Sequence, residues 1–214
     1  MTIDRAELEH RFSMGWNGDD KFVSHIGEYS NFIHDVYFSV PSLASGRNHS
    51  TIDNPRSFHY VPHLIRELQG VNIHPHILMN GLCHGDRTGS KKLITKVLDN
   101  IKYYYNECGV VHFTFVSITD MMAAKKVFPD IVTHSSVNMF INTEGKARQV
   151  TGFADIINVD RDVNYDLDLI GRIKQTTGSQ MLLNTVAVFS FPIPANIRSI
   201  LKWKMEITSR QNLN

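Results

Sequence analysis

Apolar and polar positions fall along this chain in blocks of two kinds. Short runs rich in β-branched and aromatic residues read as strands. Between them, apolar residues recur every third or fourth position, which marks helices with one buried face. Phe12 to Trp16 predicts a first strand, and Asn17-Gly-Asp-Asp then offers a turn and cap before a helix over Lys21 to Tyr29. Val36 to Val40 predicts a second strand, stopped by Pro41, and residues 41–60 read as a long polar loop. His63 to Leu68 is helical and ends at Gly70; Ile73 to Asn80 is a third strand. The clearest helix is Lys91 to Glu107, with Leu93, Val97, Ile101 and Tyr104/Tyr105 on one stripe and Ser90 placed to cap it. Val110 to Ser117 predicts a fourth strand, and Asp120 caps a short helix through Val127. A fifth strand falls within Ile131 to Asn138, weak helicity over Gly145 to Phe153, and a sixth strand over Asp155 to Val159. A helix over Leu167 to Lys174 and a seventh strand over Gln180 to Asn184 complete the pattern.

Strands that alternate with helices are joined by crossovers, and crossovers make the sheet parallel. No glycine-rich turn follows the first strand, which counts against a dinucleotide-binding sheet. The expected fold is an α/β, TIM-like parallel β/α barrel that is incomplete or irregularly closed, since no eighth strand is visible. Residues 1–190 form the barrel domain. Residues 191–214 form a C-terminal helical tail, with Ala195 to Ser209 as an amphipathic helix beyond Pro192 and Pro194.

Composition changes this picture little. The chain has 214 residues, 42% hydrophobic and 20% charged, with a formal charge of +1. No global field directs it to nucleic acid or a membrane surface. The basic tail residues Arg198, Lys202, Lys204 and Arg210 read as the solvated face of a helix rather than an RNA site. The charged amino terminus lacks the apolar core of a signal peptide, no window suggests a transmembrane helix, and the expected location is cytoplasmic. The two cysteines, Cys83 and Cys108, suggest no disulfide framework.

Candidate chemistry gathers where strands end. In a parallel barrel the carboxyl ends of the strands share one rim, where ligands bind. Asn80, Ser117, Ser136, Asn138, Asp160, Arg161 and Asn184 all fall at or just past predicted strand ends. Their amides and hydroxyls can orient a polar ligand, Arg161 can clamp a carboxylate or phosphate, and Asp160 can act as general base or pair with Arg161. Arg47 and Arg56 in the long loop can add anion contacts. The alternative is a capping network that does no chemistry. Eleven histidines are an excess. His74 and His76, two apart on a strand, point to one side and can hold zinc together with Cys83 or His84. The remaining ligands match no familiar spacing, so no metal centre and no cofactor are expected. Gly85 to Lys91 fails the phosphate-loop pattern and reads as a turn.

Several of these residues also carry a resemblance. Ser135-Ser-Val-Asn138, Asp160-Arg-Asp-Val-Asn164 and Met181-Leu-Leu-Asn184 resemble, in order and spacing, the SVN, DRDxN and LLxN signatures of the collagenase-like peptidases, the U-32 peptidases. Met14-Gly-Trp16, Val36-Tyr-Phe38 and Ile77-Leu-Met-Asn80 resemble the family's first three strands, and the match spans roughly residues 12–192. The resemblance implies a β/α barrel. Some members are oxygen-independent hydroxylases with a cysteine-bound iron–sulfur cluster. Here Ala187 and Phe191 stand where such relatives place cysteines, and two cysteines cannot supply four thiolates, so that chemistry is not expected. Whether the chain is an enzyme stays open. The first reading is a peptidase- or hydrolase-type barrel binding a small polar or anionic ligand at its rim. The second is a non-catalytic partner or scaffold subunit of a full-length relative, acting as a hetero- or homo-oligomer. A zinc hydrolase built on His74 and His76 is a third.

Overall fold

The computed structural model describes residues 12–41, 43, 55–82, 84 and 89–182, the side chains of 55–59 excepted. Seven strands form one sheet in sequential order, each parallel to the next: β1 Phe12–Gly15, β2 Ile33–Ser39, β3 His74–Met79, β4 His112–Phe115, β5 Val132–Ser135, β6 Ile156–Asn158 and β7 Gln180–Leu182. Six α-helices occupy the crossovers: α1 Phe22–Ile26, α2 Pro55–Gly70, α3 Lys91–Cys108, α4 Ile118–Val127, α5 Glu144–Val150 and α6 Leu167–Thr177. Parallel crossovers share one hand, so sequential strand order sets every helix on the same face. The sheet curls away from them into a half-barrel, as expected of an incomplete TIM-like barrel.

The helix-bearing face holds the core. Val36, Phe38, Ile77, Phe113, Phe115, Ile157 and Val159 alternate along the strands and are essentially removed from solvent. They belong to one cluster with Leu64, Ile65 and Leu68 of α2 and Val97, Ile101 and Tyr104 of α3. Burying each large side chain contributes about 1.5–3 kcal/mol, so this layer supplies the main drive for folding. α3 carries the stripe its periodicity predicts, with Leu93, Val97, Ile101 and Tyr104 buried. It starts at Ser90, whose side chain accepts from the Leu93 N–H at 3.2 Å, and stops at Gly109, in the left-handed conformation with φ +67°.

Three local expectations are revised. β2 begins at Ile33, three residues earlier than its apolar run suggests, and so takes in His34 and Asp35. α2 reaches back to Pro55, shortening the expected loop. α4 is capped by Ser117 rather than Asp120, because the Ser117 hydroxyl accepts from the Asp120 N–H at 3.2 Å. The C-terminal tail, Asn184, Arg47, Cys83 and the Arg56 side chain lie outside the described residues. No helix among the described residues is long and apolar enough to cross a membrane.

Candidate functional site

The face opposite the helices is largely polar, with Leu78 and Ile156 as apolar exceptions. Register fixes which residues share it: Asp35 pairs with His74, Tyr37 with His76, His76 with His112, Thr114 with His134, and His134 with Ile156. Partners in a parallel ladder point the same way, and so do alternate residues on one strand. The concave side of the half-barrel therefore carries Asp35, His74, His76, His112, Thr114, His134 and Asn158, with Asn80, Ser136 and Asp160 continuing beyond the strand ends. A barrel interior filled mainly by branched apolar side chains is the usual pattern, and this one departs from it.

At the carboxyl ends, Asn80, Ser136, Asn158, Asp160 and Asn164 are all buried. The Ser136 hydroxyl accepts from the Asn138 N–H at 3.2 Å, capping a short 3-10 turn over Val137–Met139. Asp160 does the same for the turn over Arg161–Val163, one oxygen accepting from the Asp162 N–H at 3.3 Å and the other from the Asn142 amide at 3.4 Å. Asn158 is bound to β5, its amide donating to the Ser135 carbonyl at 2.6 Å. Of the predicted rim set, Ser117, Ser136 and Asp160 thus have a capping role in the fold, and Asn138 is partly exposed. Asp160 and Arg161 form no ion pair with each other. The exposed Arg161 guanidinium has no carboxylate partner among the described residues.

Between β5 and β6 the chain turns through Phe140, a non-glycine residue at φ +51° whose side chain is 55% exposed. Its carbonyl accepts from Lys146 Nζ at 2.9 Å, and the next residue, Ile141, is buried and accepts from the Asp160 N–H at 3.0 Å. The left-handed turn swings Ile141 back under the rim and leaves the phenyl ring outside. Because the ring packs on little, Phe140→Gly is expected to raise stability by about 1 kcal/mol through relief of backbone strain. A lower melting temperature in that variant would mean the ring has a packing role.

At the amino ends the concave face holds a histidine cluster around one carboxylate. β1 and β2 change register between Phe12 and Ser13, so that His34 is an extra residue in β2. Such a bulge lets consecutive side chains serve the same side. Asp35, 3% exposed, accepts three hydrogen bonds: from Ser13 Oγ at 2.6 Å and His76 Nδ1 at 2.9 Å on one oxygen, and from His34 Nδ1 at 3.1 Å on the other. His76 Nε2 lies 2.7 Å from Thr114 Oγ1. The His134 ring lies against that of His76, tilted by 40° with centroids 4.1 Å apart, and bonds to His112, Nε2 to Nδ1, at 3.0 Å. Burial opposes the charge on Asp35, but its histidine neighbours outweigh burial and hold its carboxyl well below the usual range. Burial, reinforced by the charge of His76, lowers His112 to about 3 and pushes His134 well below its ordinary value, keeping both rings neutral.

Carboxylate, imidazole and hydroxyl in line is the order of an acyl-transfer triad. Here Asp35, His76 and Thr114 are each at most 4% exposed, so the set offers no open face to a substrate carbonyl. Its effect is to fix the orientation of His76.

No family model matches the sequence, and no curated protein does. Solved structures do. The U32 peptidase Mk0906 superposes with a TM-score of 0.69 over 90% of this chain and 76% of its own, at 13% identity. The likeness is one of fold. A protein assigned as an α-L-fucosidase from Bacteroides thetaiotaomicron VPI-5482 gives 0.61 at 12% identity, over 95% of this chain and 82% of its own. The exo-β-1,4-mannosidase Op5Man5 from Opitutaceae bacterium strain TAV5 gives 0.52 at 11% identity, over 97% of this chain and 53% of its own. The U-32 resemblance read from short motifs thus holds at the level of the barrel, a fold shared with glycoside hydrolases.

In that fold the rim and the histidine cluster lie at opposite ends of the strands. His84 follows the carboxyl end of β3, whereas His74 opens it, so these two do not meet in one site. The partners of His74 come instead from neighbouring strands: its ring centroid lies 5.0 Å from those of His34 and His112. The signal for this cluster was present as a period of two, with Asp35/Tyr37, His74/His76, His112/Thr114 and His134/Ser136 in successive strands. It is masked by the apolar residues between.

Proposed function

We propose that this chain is a divergent barrel of the collagenase-like, U-32 peptidase kind that binds a small polar or anionic ligand at the carboxyl rim of its sheet. The observation that carries this reading is an exposed guanidinium at Arg161 with no carboxylate partner among the described residues, next in sequence to the buried carboxylate of Asp160 at the rim. An arginine without a carboxylate partner keeps all its donors for a planar anion. In this reading Arg161 anchors a carboxylate or phosphate, Asn80, Asn138 and Ser136 orient the polar remainder, and Asp160 is the base nearest the bound ligand. Exposed Phe140, Tyr165 and Leu82, each in a loop leaving a carboxyl end, supply apolar contact around the polar floor. Iron–sulfur chemistry is not part of this reading, since the two cysteines of this sequence cannot supply the four thiolates of a cluster.

The test is a thermal-shift screen with dipeptides, dicarboxylates and sugar phosphates. At least one class is expected to raise the melting temperature of the wild type and to lose that effect at least tenfold in Arg161→Ala. The variant's ligand-free midpoint should lie within about 1 °C of wild type, as for any exposed substitution. An undiminished response in Arg161→Ala would remove the anion clamp. A matching loss of intrinsic stability would make Arg161 a structural residue.

A further inference from the structure

At the other end of the sheet, three histidines from three adjacent strands converge. One ring nitrogen each from His34 in β2, His74 in β3 and His112 in β4 lie within 4.8 Å of one another. We propose that these three side chains form a binding site for a borderline divalent transition-metal ion such as zinc, cobalt or nickel.

The chemistry of the set favours such ions. Imidazole suits zinc, copper, nickel and iron, whereas calcium and magnesium need oxygen ligands, and this trio offers none. A tetrahedral zinc with bonds of about 2.0–2.1 Å holds its nitrogens roughly 3.3 Å apart. Closing from the observed spacing needs small ring rotations, which exposed His74 and partly exposed His34 can make. Three protein ligands leave one position for water, the arrangement of an open rather than a closed site.

The surroundings prepare the ligands. Metal-bound histidines typically donate their second N–H to a carboxylate or other acceptor, which sets the tautomer. His34 does this: Nδ1 donates to Asp35 Oδ2, which leaves the Nε2 lone pair for the ion. His112 Nδ1 is engaged by His134 Nε2 in the same way. With the proton on His112 Nδ1, its Nε2 is available to the metal, and His134 carries its own proton on Nδ1. That Nδ1, on a ring 1% exposed, is a buried side-chain atom with no hydrogen-bond partner among the described residues. Both His112 and His134 are held neutral by burial, the state that ligation requires. The site clamps the amino ends of β2, β3 and β4, so its effect on the fold is that of a staple between neighbouring strands.

The experiment uses the full chain without an affinity tag, dialysed against a chelator and then titrated with zinc by calorimetry and with cobalt by visible absorption. One equivalent is expected to bind, with cobalt bands of low coordination number, and saturating zinc should raise the melting temperature by roughly 5–10 °C at a hundredfold excess over Kd. His74→Ala and His34→Ala should each weaken binding at least tenfold. Both keep the core intact, and circular dichroism would confirm that they fold. His63→Ala, an exposed histidine paired with Glu67 on α2, should bind as wild type. So should Arg161→Ala, which separates this site from the rim. Absence of stoichiometric uptake, or full affinity in both His74→Ala and His34→Ala, would overturn the proposal; equal weakening in His63→Ala would reduce it to surface binding.

Discussion

Metal-free protein moved from pH 7 to pH 4.5 is expected to lose about 2–3 kcal/mol of stability through His112, with His134 adding to it, most of it below pH 6.5. The loss comes from two rings. His112 and His134 are buried and neutral in the fold, their affinity for protons depressed by desolvation first and by the charge of His76 second. In the unfolded chain both titrate near ~6.5. Below that pH the unfolded state binds protons that the folded state refuses, so stability falls as pH falls, by about 1.4 kcal/mol per unit for each proton fully refused. The window for His112 runs from ~6.5 down to about 3. Asp35 acts at lower pH; its shift is also downward, but there it favours the charged form. Its folded carboxyl is held well below 3.8, so its contribution is complete above that pH and is lost only as pH drops through the folded value. The groups facing the two rings are all within the cluster: His34 and Asp35 from β2, and His74 and His76 from β3. Whole-domain stabilities are commonly 5–15 kcal/mol, so a fall of this size removes a large share of the total. Denaturant midpoints at pH 7.0, 6.0, 5.0 and 4.5 in a chelating buffer would measure it. His134→Gln, which deletes one titration, should flatten the slope. A flat profile between pH 6.5 and 4.5 would mean that both rings take up protons freely in the folded protein.

The elements of the fold were legible because helices and strands here obey separate periods. The 3.6-residue stripe of α3 and the short apolar and aromatic runs of β3 and β4 each point to one answer, and the parallel sheet follows from their alternation. The boundaries that shifted did so for local physical reasons. His34-Asp35 is polar and so reads as a loop before the apolar run, yet both residues belong to β2 because their side chains are satisfied by other polar groups across the concave face. The same misreading hid the cluster. Strands of a parallel barrel are expected to be apolar on both sides, and each strand here was read as an apolar core with polar ends. An apolar-core pattern therefore points to Asn80, Ser136, Asp160 and Arg161 at the ends rather than to the alternate polar positions within. His74 and His76 were visible as a pair, but their partners His34, His112 and His134 are contributed by other strands. Only the register, Asp35 to His74 and His76 to His112, brings them together. Spacing within one strand and its loop can pick out a site whose ligands are local; it cannot pick out one assembled across a ladder.

Replacing Asp35 by alanine is expected to destabilise the protein by about 3–5 kcal/mol, the cost of removing one partner from a buried charged network. The carboxylate accepts from Ser13, His76 and His34 at 2.6, 2.9 and 3.1 Å, and truncation leaves three donors without an acceptor. Each orphaned buried group costs about 1–3 kcal/mol before relaxation, so three can reach this range even if Ser13 and His34 turn toward water. His76 has no such escape, being 2% exposed and pinned between Thr114 and the ring of His134. Equilibrium unfolding in urea would give the value, with Asp99→Ala, an exposed carboxylate on α3, as a control expected within about 0.5 kcal/mol of wild type. A loss below 1 kcal/mol for Asp35→Ala would show that the network contributes little to the fold. Asp35→Asn separates the charge from the shape. The amide oxygen can still accept from Ser13 and His76, but its nitrogen then faces His34 Nδ1 with a second donor. His34 must give up the proton on Nδ1 and carry it on Nε2, the nitrogen assigned to the metal. The substitution is therefore expected to cost less stability than alanine and still to weaken zinc binding about 10–100-fold, as loss of an outer-shell carboxylate does. Unchanged zinc affinity in a folded Asp35→Asn protein would separate the carboxylate from the metal ligands and leave it a purely structural anchor of His76.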